Sequence, residues 1–308
     1  MIRLVLAALL LPLPLLAKDI TDDAGFTVTI PDDPQRVVSL HDWITTVMAA
    51  ELGVPLAGTS ARLRSDGSLY VRSAEELFGM TVPEVPLASI HGQTDPEQVA
   101  ALRPDLIIGN LGDTLDQRDQ LALVAPTIIM DPEGGRDPLD LYRAFAGWVN
   151  RSELFEAKLA AFQADAQGVA GGRDLSACTY LPVLANDRDG TLTILRHYGG
   201  VTMALDTLGL TLADAAGMVP ESQSRTVVSA EMAGALRADV LVLTYLSSRE
   251  ETPDTPRNAF DRAAPGFLQG FGGHVMAVER ERAYPISFQG AAEVMRALPA
   301  DIACAEPR

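Results

Sequence analysis

Short apolar runs alternate with amphipathic segments along the first half of the chain. RVVSL (residues 36–40), DLIIG (105–109) and PTIIMD (126–131) are rich in branched apolar residues and have the length of buried strands. Between them, ITTVMAAELG (44–53) and LDQRDQLALV (115–124) show helical spacing, and the first ends at a glycine, a typical helix stop. Strands separated by helices predict βα units and a mostly parallel sheet.

The second half repeats this alternation. TYLPVLA (179–185) and TLTIL (191–195) predict two strands joined by the turn NDRDG. VTMALDTLG (201–209) predicts a helix. The remaining predicted elements are two strands, DVLVLTYL (239–246) and HVMAV (274–278), and a final helix, FQGAAEVMRAL (288–298).

A helical pattern of unusual length lies between the halves, over residues 137–172. Asp137 is a good N-cap, and Pro138 suits the first helical position. Leu141, Phe145 and Trp148 follow at helical spacing, and a glycine pair ends the segment. The pattern predicts a long helical connection between two halves.

One phrase occurs twice, as EQVAALRPDLII from Glu97 and as EMAGALRADVLV from Glu231. Each copy opens with a capping residue, Asp95 or Ser229, so that each glutamate takes the second helical position. A strand follows each helix. The repeat predicts an α/β fold of two Rossmann-like βα lobes with central, mostly parallel sheets, joined by one long α-helix. The predicted domains are an N-terminal lobe (18–136), a bridging helical segment (137–172) and a C-terminal lobe (173–308).

The N-terminus has the pattern of an export signal. Arg3 precedes the apolar run LVLAALLLPLPLLA (4–17), which is too short to span a membrane and ends at Ala17. Pro12 and Pro14 disfavour a buried helix there. We expect residues 1–17 to be a signal peptide cleaved near Ala17, and the mature protein to be periplasmic. No cysteine lies directly after the run, so we do not expect a lipoprotein.

Composition limits the classes of partner. With 47% hydrophobic and 21% charged residues, the chain can form a folded core. A formal net charge of −17 disfavours nucleic acid and anionic lipid surfaces. It does not exclude an anionic small ligand, because a local arginine cluster can dominate the field in a cleft.

Cysteine content leaves two interpretations open. Cys178 and Cys304 are the only cysteines, and an even number permits a disulfide in an oxidising compartment. The alternative is two unrelated buried thiols. No C-x-x-C pattern suggests a metal or redox role.

The sequence shows no G-x-S-x-G, H-E-x-x-H, Walker or G-x-G-x-x-G pattern. With the export signal and two-lobe layout, this favours a binding protein over an enzyme, because clefts between domains commonly bind small ligands. A secreted enzyme on the same scaffold is the alternative of another class.

The chain resembles periplasmic substrate-binding proteins of the ferric-siderophore, haem and cobalamin uptake type. The resemblance rests on DDAGFTVTIPDDPQRVVSL (22–40), ELGVPLAGTS, DPEQVAALRPDLIIG, the mid-chain helix and VSAEMAGALRADVLVL. It implies a monomer that delivers its ligand to an inner-membrane ABC permease dimer. It also implies that Glu97 and Glu231 pair with arginines on the two permease halves. The alternative is that each first-turn glutamate only stabilises its helix dipole, by about 0.3–1 kcal/mol.

The resemblance also implies a ferric-siderophore ligand, an anion that arginine and aromatic side chains suit. No side chain is predicted to ligate the metal directly, and no cofactor is expected. For each single residue the alternative is a surface or packing role. The expected ligand-binding residues are His41, Trp43, Arg62, Arg64, Tyr70, Arg72, His91, Arg196, Tyr198, Tyr245, Arg249 and Phe288.

Other ligands remain open within the same architecture. Four histidines, His41, His91, His197 and His274, permit a zinc or manganese binding protein. Haem could be ligated by histidine or tyrosine. Cobalamin is a further alternative.

Overall fold

The computed structural model describes residues 17–302 and residue 304. Of the predicted signal peptide only Ala17 lies among these residues. In this part of the chain, no helix combines the length and the apolar character needed to cross a bilayer. The strands are β1 Ala17–Thr21, β2 Thr27–Pro31, β3 Val37–Ser39, β4 Leu56–Leu63, β5 Leu69–Tyr70, β6 Leu87–Ile90, β7 Gln93–Thr94, β8 Leu106–Asn110, β9 Thr127–Met130, β10 Thr179–Asn186, β11 Thr191–Leu195, β12 Thr211–Leu212, β13 Arg225–Ser229, β14 Val240–Tyr245 and β15 His274–Glu279.

The helices connect these strands and cover the sheets. The α-helices are α1 Thr45–Glu51, α2 Ala74–Phe78, α3 Pro96–Ala101, α4 Leu111–Thr114, α5 Arg118–Ala122, α6 Pro138–Trp148, α7 Ser152–Ala170, α8 Gly199–Thr207, α9 Asp254–Ala263, α10 Phe267–Gly270, α11 Arg280–Ala283 and α12 Phe288–Ala297. Short 3-10 helices are formed by Leu115–Gln117, Asp214–Met218, Ala230–Ala235 and Ser247–Arg249.

The first sheet has the strand order β7-β6-β4-β3-β8-β9, with β5 paired to β4. Neighbours from β6 to β9 run parallel, whereas β5 and β7 pair antiparallel. Every residue of β8 is buried, because helices pack on both faces. Leu106 packs on the side of Met48 in α1, and Ile107 on the opposite side with Val99 and Leu121. The alternation of strands and helices in the sequence predicted this sheet.

The second sheet has the order β13-β11-β10-β14-β15, with β12 paired to β10. The strands β10, β14 and β15 run parallel. The predicted hairpin is present, with β10 and β11 antiparallel across a turn that ends at Gly190. Gly190 has a φ of +61°, a conformation that glycine adopts without steric cost. Phe260 of α9 covers one face of this sheet, and Val294 of α12 belongs to the core on the other.

The bridging segment consists of two helices rather than the single long helix that the pattern predicted. Asp137 caps α6 by accepting hydrogen bonds from the backbone N–H groups of Leu139 and Asp140. The helix ends at Trp148, and α7 begins at Ser152. Between them Asn150 has a φ of +54°. Asparagine tolerates this left-handed conformation better than most residues, so the chain turns here and resumes a helix that packs against α12.

Both copies of the sequence repeat begin with the predicted cap. The side chain of Asp95 accepts a hydrogen bond from the N–H of Glu97 at 2.9 Å, and Ser229 accepts from Glu231 at 3.3 Å. The first copy is α-helical, whereas the second is a 3-10 helix. Gly234 lies within the second copy and is a poor α-helix former. Each copy leads into a buried strand, β8 or β14.

Candidate functional site

Side chains that follow the parallel strands of the first sheet meet around one cavity. His41 follows β3, His91 follows β6 and Asp131 follows β9, while Arg62 lies near the end of β4. Together with Trp43, they line a cavity of about 650 Å³, hereafter the first cavity. Ligands of open α/β sheets bind beyond the carboxyl ends of the strands, so this is an expected place for a binding site.

A second cavity, of about 940 Å³, lies at the corresponding edge of the second sheet. Asn186 ends β10, Thr244 lies near the end of β14 and Arg280 follows β15, and all three line this cavity. The Arg280 guanidinium also lies 5.1 Å from the ring centroid of Trp43 and 5.9 Å from that of Tyr284, two residues of the first cavity. The two cavities therefore meet at Arg280 and together form the cleft.

Trp43 is the centre of a stack of aromatic and cationic groups at this junction. Its ring centroid lies 4.3 Å from that of Tyr284, which in turn lies 4.9 Å from that of Tyr198. The Arg72 guanidinium lies 3.3 Å from the Trp43 centroid, and its Nε is 3.3 Å from the Glu281 carboxylate of the other lobe. Burial is the main reason that the pKa of Arg72 lies below its usual value. The stack offers a flat, apolar and cationic surface.

Asp42 anchors the polar groups at the base of the first cavity. Arg62 Nε donates to its carboxylate at 2.7 Å, and Nδ1 of His91 lies 3.4 Å away. Burial alone would raise the pKa of Asp42, but His91 and the charge of Arg62 outweigh it and lower the pKa to about 2. Burial lowers the pKa of His41 to about 4, so its imidazole is neutral at neutral pH. Asp42 and Arg62 thus form a fixed ion pair beneath a neutral histidine.

Several buried polar atoms without a hydrogen-bond partner in the described chain lie at the cleft. They are Nδ1 of His41, Nε1 of Trp43 and Nε of Arg280. A buried polar group without a partner costs about 1–3 kcal/mol, and such groups concentrate where a ligand or water completes the bonding. Across residues 17–302 and 304, no group of three or more His, Cys, Asp or Glu side chains is placed to hold a metal ion.

The structure brings five of the residues expected from the sequence to the walls of the cleft. His41, Trp43, Arg62 and His91 line the first cavity, and Arg249 lines the second. Two more lie directly behind the walls. Arg72 packs under Trp43, and buried Tyr198 packs behind Tyr284 with its hydroxyl 3.2 Å from Thr244 Oγ1.

The other five expected residues lie elsewhere. Arg64 packs over Tyr70 and pairs with Glu75 near the tip of an exposed hairpin, because β4 extends beyond the sheet at that point. Phe288 lies in an aromatic core cluster with Tyr142 and Phe155, since it begins a helix packed on the bridging segment.

Tyr245 and Arg196 also lie outside the two cavities. Tyr245 contributes to a smaller cavity of about 250 Å³ beside Arg282. Arg196 continues the edge of the second sheet, where its backbone N–H donates to the carbonyl of Ser224. The side chains of both residues are therefore not brought to the cleft.

Sequence reasoning missed several cleft residues. Asn110, Asp131 and Arg280 end or directly follow buried parallel strands, and the rule on carboxyl ends of strands is the signal that could have found them. Tyr284 and Arg225 carry no such signal. Both belong to the second lobe, and they line the first cavity because the two lobes pack against each other there.

Glu97 and Glu231 lie away from the cavities, exposed at the starts of their helices. Neither forms a salt bridge with a residue of the described chain, and each backbone N–H is already held by its cap. Their carboxylates are therefore free for solvent or for a partner.

Comparison with known proteins places the chain among binding proteins. A family model described as "Periplasmic binding protein" matches residues 38–257. The chain is 30% identical over 142 residues to the probable siderophore-binding lipoprotein YfiY of Bacillus subtilis (strain 168), which covers 45% of this chain and 40% of YfiY. The chain thus spans about two-fifths of the length of the curated relatives it matches.

Solved structures share the fold over most of the chain. The structure of holo-ViuP matches with a TM-score of 0.72 at 18% identity, over 91% of this chain and 93% of the other. SirA of Staphylococcus aureus, solved in complex with staphyloferrin B, matches with a TM-score of 0.67 at 17% identity, over 91% and 97%. At these identities, the likeness demonstrates a common fold.

Proposed function

The chain belongs to the periplasmic binding protein family, and we propose that it captures a ferric-siderophore complex in the cleft and delivers it to an ABC permease. The proposal is for a binding protein and not an enzyme. Two similar proteins support the ligand class: YfiY is named as a probable siderophore-binding lipoprotein, and SirA was solved in complex with staphyloferrin B.

The observation that carries the proposal is the position of Arg280. It follows a strand of the second sheet, lies over Trp43 and Tyr284, and has no carboxylate partner among the described residues. Arginine offers permanently charged, planar donors that match the oxygens of an anionic chelate, and neighbouring rings exclude water from those bonds. An anionic iron complex therefore fits the junction of the two cavities.

Delivery is proposed to use Glu97 and Glu231. The N-terminal lobe (18–136) and the C-terminal lobe (173–308) would each present one capped, exposed glutamate, with residues 137–172 as the bridge. Two similar permease subunits would each supply a basic pocket. The protein would act as a monomer, because each copy carries both glutamates.

We propose that the protein works outside the cytoplasm. The family name and the lipoprotein names of the relatives support an exported protein. Cleavage near Ala17 stays a prediction, and so does the expectation that no lipid anchor is attached.

A fluorescence titration of the purified protein tests the ligand. Trp43 lines the cleft, and Trp148, the second of the two tryptophans, is buried in α6. Ferric catecholate, hydroxamate and carboxylate siderophores, haem, cobalamin, Zn²⁺ and Mn²⁺ are added in turn. We expect submicromolar quenching by one ferric class, retained in Trp148→Phe and reduced in Trp43→Phe. A response to haem, cobalamin or a free metal alone would overturn the ligand assignment.

A further inference from the structure

The two cavities of the cleft differ in their uncompensated charge. In the second cavity, Arg188, Arg249 and Arg280 form no salt bridge with a described residue. Arg262 is neutralised by Asp187 at 2.5 Å. The unpaired positive charge of the cleft is therefore concentrated on the second lobe.

Besides Asp187, two further carboxylates line the second cavity, and both accept hydrogen bonds from nearby groups. Asp189 accepts a hydrogen bond from the side chain of Asn186, and Glu251 accepts one from the N–H of Leu246 at 2.8 Å. They reduce the positive charge of this wall without reversing it.

The first cavity has no such excess of unpaired positive charge. Its arginines are each matched by a carboxylate, Arg62 by Asp42 at 2.7 Å and Arg225 by Glu133 at 2.8 Å.

Asp113 and Asp131 also line this cavity, and within the described residues neither has an arginine or lysine partner. Asp113 accepts from Asn110 Nδ2 at 3.2 Å and lies 3.6 Å from His91 Nδ1, and Asp131 accepts from the N–H of Glu133 at 3.1 Å. These contacts leave one oxygen of each carboxylate without a protein donor.

His41 is an independent sign of a hydrogen-bonded occupant. Its side chain lines the first cavity, the residue is only 8% exposed, and its Nδ1 has no partner in the described chain. Its pKa, lowered to about 4 by burial, keeps it neutral, and a neutral imidazole has one nitrogen that accepts a hydrogen bond. An acceptor beside two carboxylates suits a donor that carries positive charge.

We propose that the first cavity binds a protonated amine on the ligand, with Asp113, Asp131 and His41 as acceptors, while the anionic metal centre lies toward Arg280. This inference rests on the proposed function and narrows it to ferric chelates with a free amine. An organic cation fits better than a metal ion, because the described residues provide no cluster of three metal-binding side chains.

Calorimetric titration with matched chelates tests the inference. One pair is the ferric complex of a lysine-linked bis-catecholamide, with its amine free or acetylated. A second pair is the ferric complex of a linear trihydroxamate with a terminal amine, again free or acetylated. In at least one pair, we expect the free-amine form to bind about tenfold more tightly. Asp113→Asn and Asp131→Asn should bring that ratio toward one, whereas Asp116→Asn, an exposed carboxylate outside the cavity, should keep it.

The following results would count against the inference. Equal affinities, tighter binding of the acetylated form, or failure of both amine forms while other ferric chelates bind would overturn it and leave the proposed function intact. Submicromolar binding of Zn²⁺ or Mn²⁺ alone, lost in Asp113→Asn, would replace the amine by a metal. If no ferric chelate binds, acetylated or not, the proposed function itself fails.

Discussion

The carboxylate of Glu51 accepts a hydrogen bond from the backbone N–H of Phe288 at 2.8 Å, across 237 positions of sequence. It also accepts from the N–H of Gln289 at 2.9 Å and from the hydroxyl of Tyr142 at 2.9 Å. One buried side chain at the end of α1 therefore holds the start of α12, in the other lobe, and the bridging helix α6. The contact fixes the two lobes to each other at the base of the cleft.

Replacing Glu51 by alanine should destabilise the protein by about 3 kcal/mol, because it leaves two backbone N–H groups and a buried hydroxyl without an acceptor. Glu51→Gln keeps one acceptor oxygen and should cost about 1 kcal/mol. The free energy of unfolding from urea titration measures both. Glu97→Gln, an exposed glutamate, is the control. A loss below about 0.5 kcal/mol in Glu51→Ala would show that the lobes are held by other contacts.

Arg280→Ala should weaken binding of the ferric chelate about 10- to 100-fold, since a hydrogen bond to a charged group contributes about 1.5–3 kcal/mol. Arg64→Ala is the matched control, because Arg64 is exposed and paired with Glu75. Its affinity should equal that of the wild type. The dissociation constants of both variants are measured by calorimetry. Equal losses in both variants would mean that long-range charge, rather than the junction of the cavities, controls affinity.

The double variant Glu97→Ala and Glu231→Ala should bind ligand normally but abolish permease-dependent uptake, because both side chains lie outside the cleft and are exposed. Uptake of radioactive iron by cells that carry the cognate permease measures this. Glu153→Ala removes another exposed first-turn glutamate, in α7, and should leave uptake unchanged. Normal uptake by the double variant would show that the two glutamates only stabilise their helices.

Protonation of His41 should lower the stability as the pH drops from about 6.5 to about 4, and protonation of Asp206, whose pKa burial raises to about 6, should offset part of that loss. His41 has a folded-state pKa of about 4, below its usual value of about 6.5, because it is buried. The unfolded chain therefore takes up this proton first, and protonation favours unfolding by up to about 3 kcal/mol at the acid end. Protonation of Asp42, whose pKa is lowered to about 2, reduces the stability only at still lower pH.

Between pH 6.5 and 4 the stability of His41→Gln relative to the wild type should rise by up to about 3 kcal/mol, as measured by urea unfolding at a series of pH values. His274→Gln, at the edge of the second sheet, is measured beside it as a second histidine variant. An unchanged slope in His41→Gln would assign the acid sensitivity to another group.

The sequence predicted the sheets well because their signals are local. DLIIG and DVLVLTYL are apolar runs that only a strand buried on both faces can accommodate, and both form central strands. The break in the bridging helix was not predicted, because Asn150 is compatible with a helix and its left-handed conformation depends on how α6 and α7 pack.

The candidate site was predicted less completely, because membership in it depends on how the two lobes meet. His41 and His91 follow first-lobe strands, and both line the first cavity. Phe288 begins the final predicted helix, and the packing of α12 places it in the aromatic core. The sequence shows that Arg280 follows the predicted strand HVMAV, but its position over Trp43 depends on how the two lobes meet.

The disulfide between Cys178 and Cys304 makes the second lobe a covalent ring. Their sequence separation of 126 residues encloses every strand of the second sheet and excludes the first lobe and the bridging helices. In the chain-entropy model, a ring of this size lowers the conformational entropy of the unfolded chain. This stabilises the folded state by about 5 kcal/mol. A reducing agent should therefore lower the unfolding temperature of the protein. In an oxidising compartment, the two halves of one binding site thus differ in covalent connectivity, since one half is an open chain and the other is a closed loop.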